Sequence, residues 1–203
     1  MIFYRPEQRD RGLLPHDPFK ALIAPRPIGW ISTRSAGGAV NLAPYSFFNA
    51  VADRPPIVMF SSAGRKDSLT FAEESGEFVW NLATLDLWEA MNESSRELER
   101  GVSEFESAGL TPADCELVAA PRVAESPVAL ECRVAQIIRL RDAAGAELER
   151  WMVTGEVVGV HLDETFILPG GRVDTAALRP LARAGYPDEY SVVTEMIRMG
   201  RPS

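Results

Sequence analysis

Prolines and glycines divide residues 25–68 into pieces no longer than a short strand. Pro25 and Pro27 exclude a helix at the beginning of this segment. The sequence IGWIST that follows is rich in β-branched and aromatic residues and favours a strand. Residues 36–39, AGGA, predict a hairpin-type turn, and a second strand, irregular around Pro44, follows them. The segment therefore favours short antiparallel strands.

The remaining chain continues this pattern. The turn at residues 54–56 is followed by a short buried strand, IVMFSS. A helix is predicted next, with Asp67 or Ser68 as its N-cap and Gly76 at its end. We also predict a strand at EFVWNLA, a helix over residues 85–99, and a helical segment at TAALRPLARAG.

Two longer strands, VALECRVAQIIRLRD and RWMVTGEVVGVHLDE, flank a turn at residues 143–145. Short strands and hairpin turns thus outnumber helices and do not alternate with them as in βαβ units. The sequence predicts a mainly β fold, an antiparallel β-barrel with peripheral helices, and one domain over residues 1–203.

Composition argues against several classes of function. The chain of 203 residues carries a formal net charge of −8, which disfavours binding to nucleic acid or anionic lipid. Its apolar runs are too short for a membrane span, and the N-terminus lacks the pattern of a signal peptide, so we expect a cytoplasmic protein. Cys115 and Cys132 are expected to be thiols. With only two histidines, no metal site is expected.

Common catalytic motifs are missing from the sequence. It contains no GxGxxG after a strand, no GxxxxGK[ST] and no GxSxG. Its acidic residues are scattered, without a signal for paired-carboxylate catalysis. We therefore predict no catalytic side chain.

One polar cluster could bind a phosphate. Ser61, Ser62, Arg65, Lys66 and Ser68 lie between a buried strand and the beginning of a helix. A phosphate there would meet backbone N–H groups, hydroxyls and two cations. A solvated loop with a capping serine explains the same composition equally well.

A second cluster combines amides, a hydroxyl and aromatic rings. Asn41, Ser46 and Asn49 alternate with Tyr45, Phe47 and Phe48. Such groups could read the edge of a planar heterocycle while covering its face. Aromatic residues of an irregular barrel strand that simply belong to the core are the alternative.

At these residues the chain resembles the flavin reductase-like family with an FMN-binding split barrel. Within it, the chain resembles the branch that contains nitrilotriacetate monooxygenase component B and other reductase components of two-component monooxygenases. The resemblance is carried by PRPIGWISTR, NLAPYSFFNAVADRPPIVMFSS, RKDS, EFVWNLAT, ESPVALEC, TGEVVGVHLDE and GRVDTAALRPLAR, and spans nearly the whole chain.

The resemblance implies a homodimer with FMN near the subunit interface, NAD(P)H as the electron donor and a possible monooxygenase partner. It implies that the flavin, rather than a side chain, accepts the hydride. The phosphate is expected at Ser61, Ser62, Arg65, Lys66 and Ser68, and the ring and ribityl chain at Asn41 and Pro44, Tyr45, Ser46, Phe47, Phe48, Asn49 and Ala50. Further candidate cofactor-binding residues are Thr33, Arg34, His161 and Arg183.

Two alternatives to a flavin reductase stay open at the level of sequence. The same barrel could be a non-catalytic FMN-binding protein or electron carrier. It could also be a related oxidase that oxidises its substrate on bound flavin.

The tail AGYPDEYSVVTEMIRMGRPS departs from the Gly-rich turn and tyrosine expected after GRVDTAALRPLAR. This difference puts the choice of donor or acceptor in doubt.

Overall fold

A computed structural model describes residues 1–98, 102–200 and 202. The strands are β1 Arg26–Pro27, β2 Gly29–Arg34, β3 Val40–Tyr45, β4 Phe48–Asp53, β5 Pro56–Ala63, β6 Glu77–Asn81, β7 Pro112–Ala113, β8 Arg122–Val123, β9 Val128–Arg141, β10 Glu147–Leu162, β11 Ile167–Leu168, β12 Arg172–Val173, β13 Leu181–Arg183 and β14 Tyr190–Val192. The α-helices are α1 Phe19–Leu22, α2 Asp67–Ser75, α3 Trp88–Glu93, α4 Glu104–Ser107 and α5 Thr175–Leu178, and short 3₁₀ turns cover Pro6–Gln8, Leu85–Leu87 and Glu164–Phe166.

Seven strands form one antiparallel sheet that curls into a barrel. Their order is β3-β2-β6-β9-β10-β5-β4. In a flat sheet the outer strands β3 and β4 would lie about 29 Å apart, at about 4.8 Å per strand. Yet only Ser46 and Phe47 join them, and such a link spans at most about 11 Å. The sheet must therefore close on itself, with a seam between β3 and β4. The predicted mainly β barrel is confirmed.

The barrel interior is filled from six of its strands. Ile31, Phe60, Phe78 and Val153 are fully buried there, and Leu69 of α2 belongs to the same cluster. Gly155 lies against Phe78, and a side chain at this position would overlap the phenyl ring. The inside of the barrel is thus a packed core.

A second layer covers the outer face of β2 and β3. Trp30, Leu42, Met91, Phe105 and Leu181 pack together in this layer. It contains residues of α3, α4 and β13 beside those of the barrel. This packing brings the ends of α3 and α4 and the C-terminal strands next to the seam.

The strand predictions are close to the observed elements, whereas several helix boundaries differ. The strand predicted irregular around Pro44 is two strands, β3 and β4. Helix α2 begins one residue early, with Lys66 as N-cap, and ends at Gly76 as predicted, with φ of 72°. The helix predicted over residues 85–99 is a 3₁₀ turn followed by α3, which ends at Glu93; Glu99 lies outside the described residues.

The helix predicted at residues 175–185 is wrong in its second half. Helix α5 ends at Leu178, and its C-cap residue Arg179 has a left-handed φ of 48°. Pro180 follows and cannot continue a helix. The chain then forms β13, which pairs with β1 and β14.

Among the described residues, no helix has both the length and the apolar character that a membrane span requires.

Candidate functional site

A groove runs along the seam of the barrel as three adjoining cavities. The helix-side cavity, about 330 Å³, lies at the beginning of α2. The middle cavity, about 300 Å³, shares Pro44, Tyr45 and Ser95 with it. The tail-side cavity, about 470 Å³, shares Ser46 and Arg183 with the middle one. The groove therefore connects the N-terminus of α2 with the C-terminal segment.

The helix-side cavity has the chemistry of an anion site. Asn41, Lys66 and Ser68 line it together. No side chain caps the N-terminus of α2, and the first hydrogen bond of the helix is donated by Thr70 N–H to the carbonyl of Lys66. The N–H groups of the first turn precede that bond and have no partner within the helix. They can bind an anion, which the helix dipole also favours.

A buried hydrogen bond fixes two of these side chains. The Asn41 amide donates to Ser68 Oγ over 2.7 Å, and both residues are at most 6% exposed. Because Ser68 Oγ accepts this bond, its own O–H stays free to donate. Asn41 owes its position to the β2–β3 register, in which it lies opposite Thr33.

The hydroxyl of Tyr45 is buried beside this pair and has no hydrogen-bond partner among the described residues. Burial raises the pKa of Tyr45, and the nearby hydroxyls of Ser68 and Ser62 lower it in part. Neither hydroxyl has the geometry of a hydrogen bond to it. An unpaired buried hydroxyl next to a cavity is what a polar ligand would satisfy.

The two predicted cations point in different directions. Lys66 lines the helix-side cavity. Arg65 forms an ion pair with Glu73 on the surface of α2, and its guanidinium carbon lies 5.9 Å from the centre of the Trp151 ring. The structure therefore brings Lys66, but not Arg65, to the groove.

The predicted residues on β5 and β2 lie outside the lining of the groove. Ser62 is fully buried and donates to the carbonyl of Gly64 over 2.9 Å, and Ser61 is half-buried on β5. Thr33 is fully buried, and its hydroxyl has no partner within the described part of the chain. Arg34 donates to the carbonyl of Ala119 over 2.7 Å. These four residues do not line the cavities of the groove.

The stretch predicted to border a planar ring is divided at the seam. Pro44, Tyr45 and Ser46 line the groove, and Phe47 is half-buried beside them. Phe48 belongs to the barrel core, where its ring lies parallel to that of Trp80 at a centroid distance of 5.5 Å. Asn49 and Ala50 follow on β4 and are exposed.

The two remaining candidates lie far apart in the fold. Arg183 lines both the middle and the tail-side cavity and stacks on Tyr190, with its guanidinium carbon 4.6 Å from the ring centre. His161 lies at a separate cleft of about 660 Å³ and contacts Glu131 there. The structure thus brings Arg183, but not His161, to this groove.

Several groove residues were missed at the level of sequence. Ser94 and Ser95 line the groove because α3 ends just before them. Glu104 lines the same cavity from α4 and accepts a 3.1 Å hydrogen bond from Leu42 N–H. Burial raises the pKa of Glu104, and its hydrogen bonds lower it in part. Polar residues after an amphipathic helix were the available signal in NESS, but the predicted helix ran through them.

The chain is similar in sequence to a known protein family and to proteins of several organisms. The sequence model of a family described as "Flavin reductase like domain" matches residues 22–172. An uncharacterized protein of Aquifex aeolicus is 36% identical over 169 residues, which are 81% of this chain and 83% of that protein.

Two solved structures are also similar to the chain. Nitrilotriacetate monooxygenase component B from Bacillus cereus superposes with a TM-score of 0.86 and is 30% identical, with 98% of each chain covered. The 2-nitrobenzoate 2-nitroreductase NbaA of Pseudomonas fluorescens superposes with a TM-score of 0.84 and is 26% identical, with 100% of this chain and 96% of that chain covered.

Proposed function

Because the chain belongs to the family of flavin reductase-like domains, we propose that it is an FMN-binding oxidoreductase that uses NAD(P)H as electron donor. It supplies reduced flavin or electrons to a partner monooxygenase, and the whole chain of 203 residues acts as one flavin-binding unit. Similarity to a protein named as component B of a monooxygenase supports the oxygenase partner.

One observation carries this proposal: the groove joins an anion site to a slot that both apolar and polar side chains line. Its helix-side cavity offers Lys66, the free O–H of Ser68 and the N-terminus of α2. Its middle cavity is lined by Ile28, Pro44 and Tyr45 and by the polar side chains of Ser46, Ser95 and Arg183. A ligand with a phosphate at one end and a planar ring at the other matches this order of groups.

The donor groups of the groove fit FMN, although the carboxylates of Asp67 and Glu104 also line the helix-side cavity and oppose part of the charge of Lys66. The Tyr45 hydroxyl, buried and unpaired within the described residues, offers one further polar group beside the anion site. Lys66 and Ser68 would hold the phosphate, and Pro44, Tyr45 and Ser46 would border the ring. Bound FMN would supply the hydride-accepting centre of the reaction.

The side chains of the groove then serve to bind and orient. Asn41 holds Ser68 in place, and Ser68 keeps its O–H for the ligand. Arg183, held by Tyr190, faces the middle and tail-side cavities from the other wall. It is placed to attract an anionic part of the electron donor or acceptor to the open side of the groove.

We also propose a homodimer in the cytoplasm. Phe19, Leu22 and Ile23 of the α1 segment are each more than half exposed, as expected of apolar residues that a second subunit covers. Cys115 and Cys132, both in the described part of the chain, form no disulfide there. Reduced thiols are typical of a cytoplasmic protein.

The test is anaerobic reduction of the FMN-loaded protein by NADH and by NADPH, followed through the visible absorbance of the flavin. We expect bleaching with at least one donor and recovery of the absorbance on admission of oxygen. Failure of both donors would refute the reductase proposal. Failure to bind FMN at all would refute the flavin-binding proposal as well.

A further inference from the structure

Three metal-ligand side chains converge at a second place, outside the groove. The Sγ of Cys115, a carboxylate oxygen of Glu131 and a ring nitrogen of His161 all lie within 4.8 Å of one another. We propose that these three residues bind one divalent transition-metal ion, of which Zn²⁺ fits best. They come from the loop after β7, from β9 and from β10, so no spacing motif in the sequence reveals them.

The register of the long hairpin places two of the ligands together. Glu131 lies opposite Gly159, and His161 lies opposite Ala129. Glu131 and His161 are thus diagonal neighbours on one face of the β9–β10 ladder. His161 Nε2 lies 2.6 Å from Glu131 Oε1. A Cβ at position 159 would come within 3.3 Å of that oxygen, so the glycine keeps its surroundings open.

The Glu131 carboxylate is oriented by the protein itself. Only 1% of the residue is exposed. Its Oε1 accepts from Glu116 N–H over 3.0 Å, and its Oε2 accepts from the N–H groups of Leu117 and Val118 over 2.6 and 3.1 Å. Hydrogen bonds of this kind, which fix a carboxylate in one orientation, are typical of metal-ligating carboxylates.

The same three bonds position the third ligand. Cys115 directly precedes the 116–118 segment that is tied to Glu131. The backbone at Cys115 is therefore held next to the carboxylate. A tetrahedral zinc site needs donor atoms roughly 3.3–3.8 Å apart. The donor atoms lie within 4.8 Å of one another, and His161 Nε2 and Glu131 Oε1, now 2.6 Å apart, must separate slightly to receive the ion.

The cluster is open to solvent on one side. The side chain of His161 is 25% exposed and borders the cleft of about 660 Å³. An ion can enter from this cleft, and a water can occupy a fourth position beside three protein ligands. Arg122 lines the cleft and repels a cation there, and burial raises the pKa of the Cys115 thiol to about 11. The Glu131 carboxylate offsets the charge of Arg122, and the thiol becomes a second anionic ligand only when the metal displaces its proton.

The mixture of donors selects the kind of metal. Sulfur and imidazole nitrogen favour Zn²⁺ and its neighbours in the first transition series, whereas Mg²⁺ and Ca²⁺ prefer sites made only of oxygen ligands. On binding, the Cys115 sulfur forms a bond to the metal and its proton leaves to solvent.

The test uses the full-length chain, freed of metal by a chelator, and Co²⁺ as a spectroscopic probe. We expect saturation at about one ion per chain, with a thiolate-to-metal band in the near ultraviolet, and displacement by Zn²⁺. Zn²⁺ should also raise the unfolding temperature. Absence of saturable binding, or of any zinc-dependent shift of that temperature, would overturn the proposal.

Variants locate the ion and separate this site from the flavin groove. Cys115→Ser should abolish the thiolate band, and His161→Gln should weaken Co²⁺ binding at least about tenfold. The matched variants Cys132→Ser and His16→Gln, at the other cysteine and the other histidine, should bind as the wild type does. Unchanged binding in Cys115→Ser and His161→Gln would show that the metal lies elsewhere. If Cys115→Ser fails to fold, retention of the thiolate band in Cys132→Ser still assigns the ion to Cys115. These readouts need no flavin, so the outcome is independent of the proposed reductase activity.

Discussion

The side-chain amide of Asn41 donates a 2.7 Å hydrogen bond to the hydroxyl of Ser68, and this buried contact ties β3 to the first turn of α2. It crosses from one wall of the groove to the other at the place where a phosphate is proposed to bind. The bond therefore links the stability of the fold to the geometry of the site.

Ser68→Ala should lower both the stability of the protein and its affinity for FMN. The change leaves the Asn41 amide buried without its partner, at a cost of about 1–3 kcal/mol in the free energy of unfolding, and removes one donor to the phosphate. Urea unfolding and FMN titration measure the two effects. Combining it with Asn41→Leu should cost less than the sum of the single changes. Strict additivity would show that the two residues do not interact as described.

Lys66→Ala should weaken FMN binding on the order of tenfold, since it removes one charge-assisted hydrogen bond to the phosphate. Arg65→Ala should have a smaller effect, because Arg65 is already paired with Glu73. Fluorescence titration of FMN gives both affinities. Arg141→Ala, at the exposed tip of the β9–β10 hairpin, controls for the change in net charge. An equal loss of FMN affinity in all three variants would indicate a general effect of net charge and would contradict a direct contact between Lys66 and the phosphate.

Glu104→Gln should stabilise the protein at neutral pH. Burial raises the pKa of Glu104 above the ordinary value of 4.5, so the folded state holds this proton more tightly than the unfolded state. Stability is therefore favoured below 4.5 and falls as the pH rises through the raised pKa. Glutamine removes this loss, and we expect a gain of about 1–2 °C in the unfolding temperature at pH 7, with none near pH 4.

The same substitution should tighten FMN binding by roughly threefold, because it removes a like charge from the cavity that receives the phosphate. Glu106→Gln, at an exposed position of the same short helix, is the matched control and should change neither quantity. A destabilised Glu104→Gln protein at pH 7 would contradict the argument from burial.

Phe47 and Phe48 are adjacent in the sequence but should respond differently to truncation. Phe48→Ala empties a place in the barrel core and is expected to cost about 3–5 kcal/mol; Phe48→Leu is the milder variant if the alanine form does not fold. Phe47→Ala, at a half-buried position at the seam, should mainly lower the affinity for FMN. Chemical unfolding and FMN titration of both variants check this difference. A larger loss of stability in Phe47→Ala would reverse the assignment.

The strands were predictable because their limits are set by local chemistry. Prolines, glycines and runs of β-branched residues influence the backbone over only a few positions. The strands of the barrel begin and end close to them. The end of α3 was not predictable in this way. Ser94 accepts a 3.0 Å hydrogen bond from Trp30 Nε1 and donates to the carbonyl of Met91 over 2.8 Å. The first bond joins residues that are 64 positions apart, and no local pattern contains it.

The candidate site was predictable in outline for a similar reason. Asn41, Lys66 and Ser68 stand out as polar groups at strand ends and a helix beginning, and the structure brings all three to one cavity. Whether a neighbour such as Arg65 or Phe48 faces the groove depends on tertiary partners, here Glu73 and Trp80. The metal ligands proposed around Glu131 depend on strand register, which the sequence does not specify by itself.

The order of strands affects how the chain folds while it is being synthesised. The first 81 residues supply two separate pieces of the barrel wall, β3-β2-β6 and β5-β4. The edges of β6 and β5 stay unpaired until the hairpin of β9 and β10 emerges and fills the space between them. A nascent chain thus carries two open strand edges until this hairpin has been made, and such edges favour aggregation. A chain that stops before β10 cannot close the wall, so the hairpin is the element that joins two incomplete pieces of sheet into a barrel.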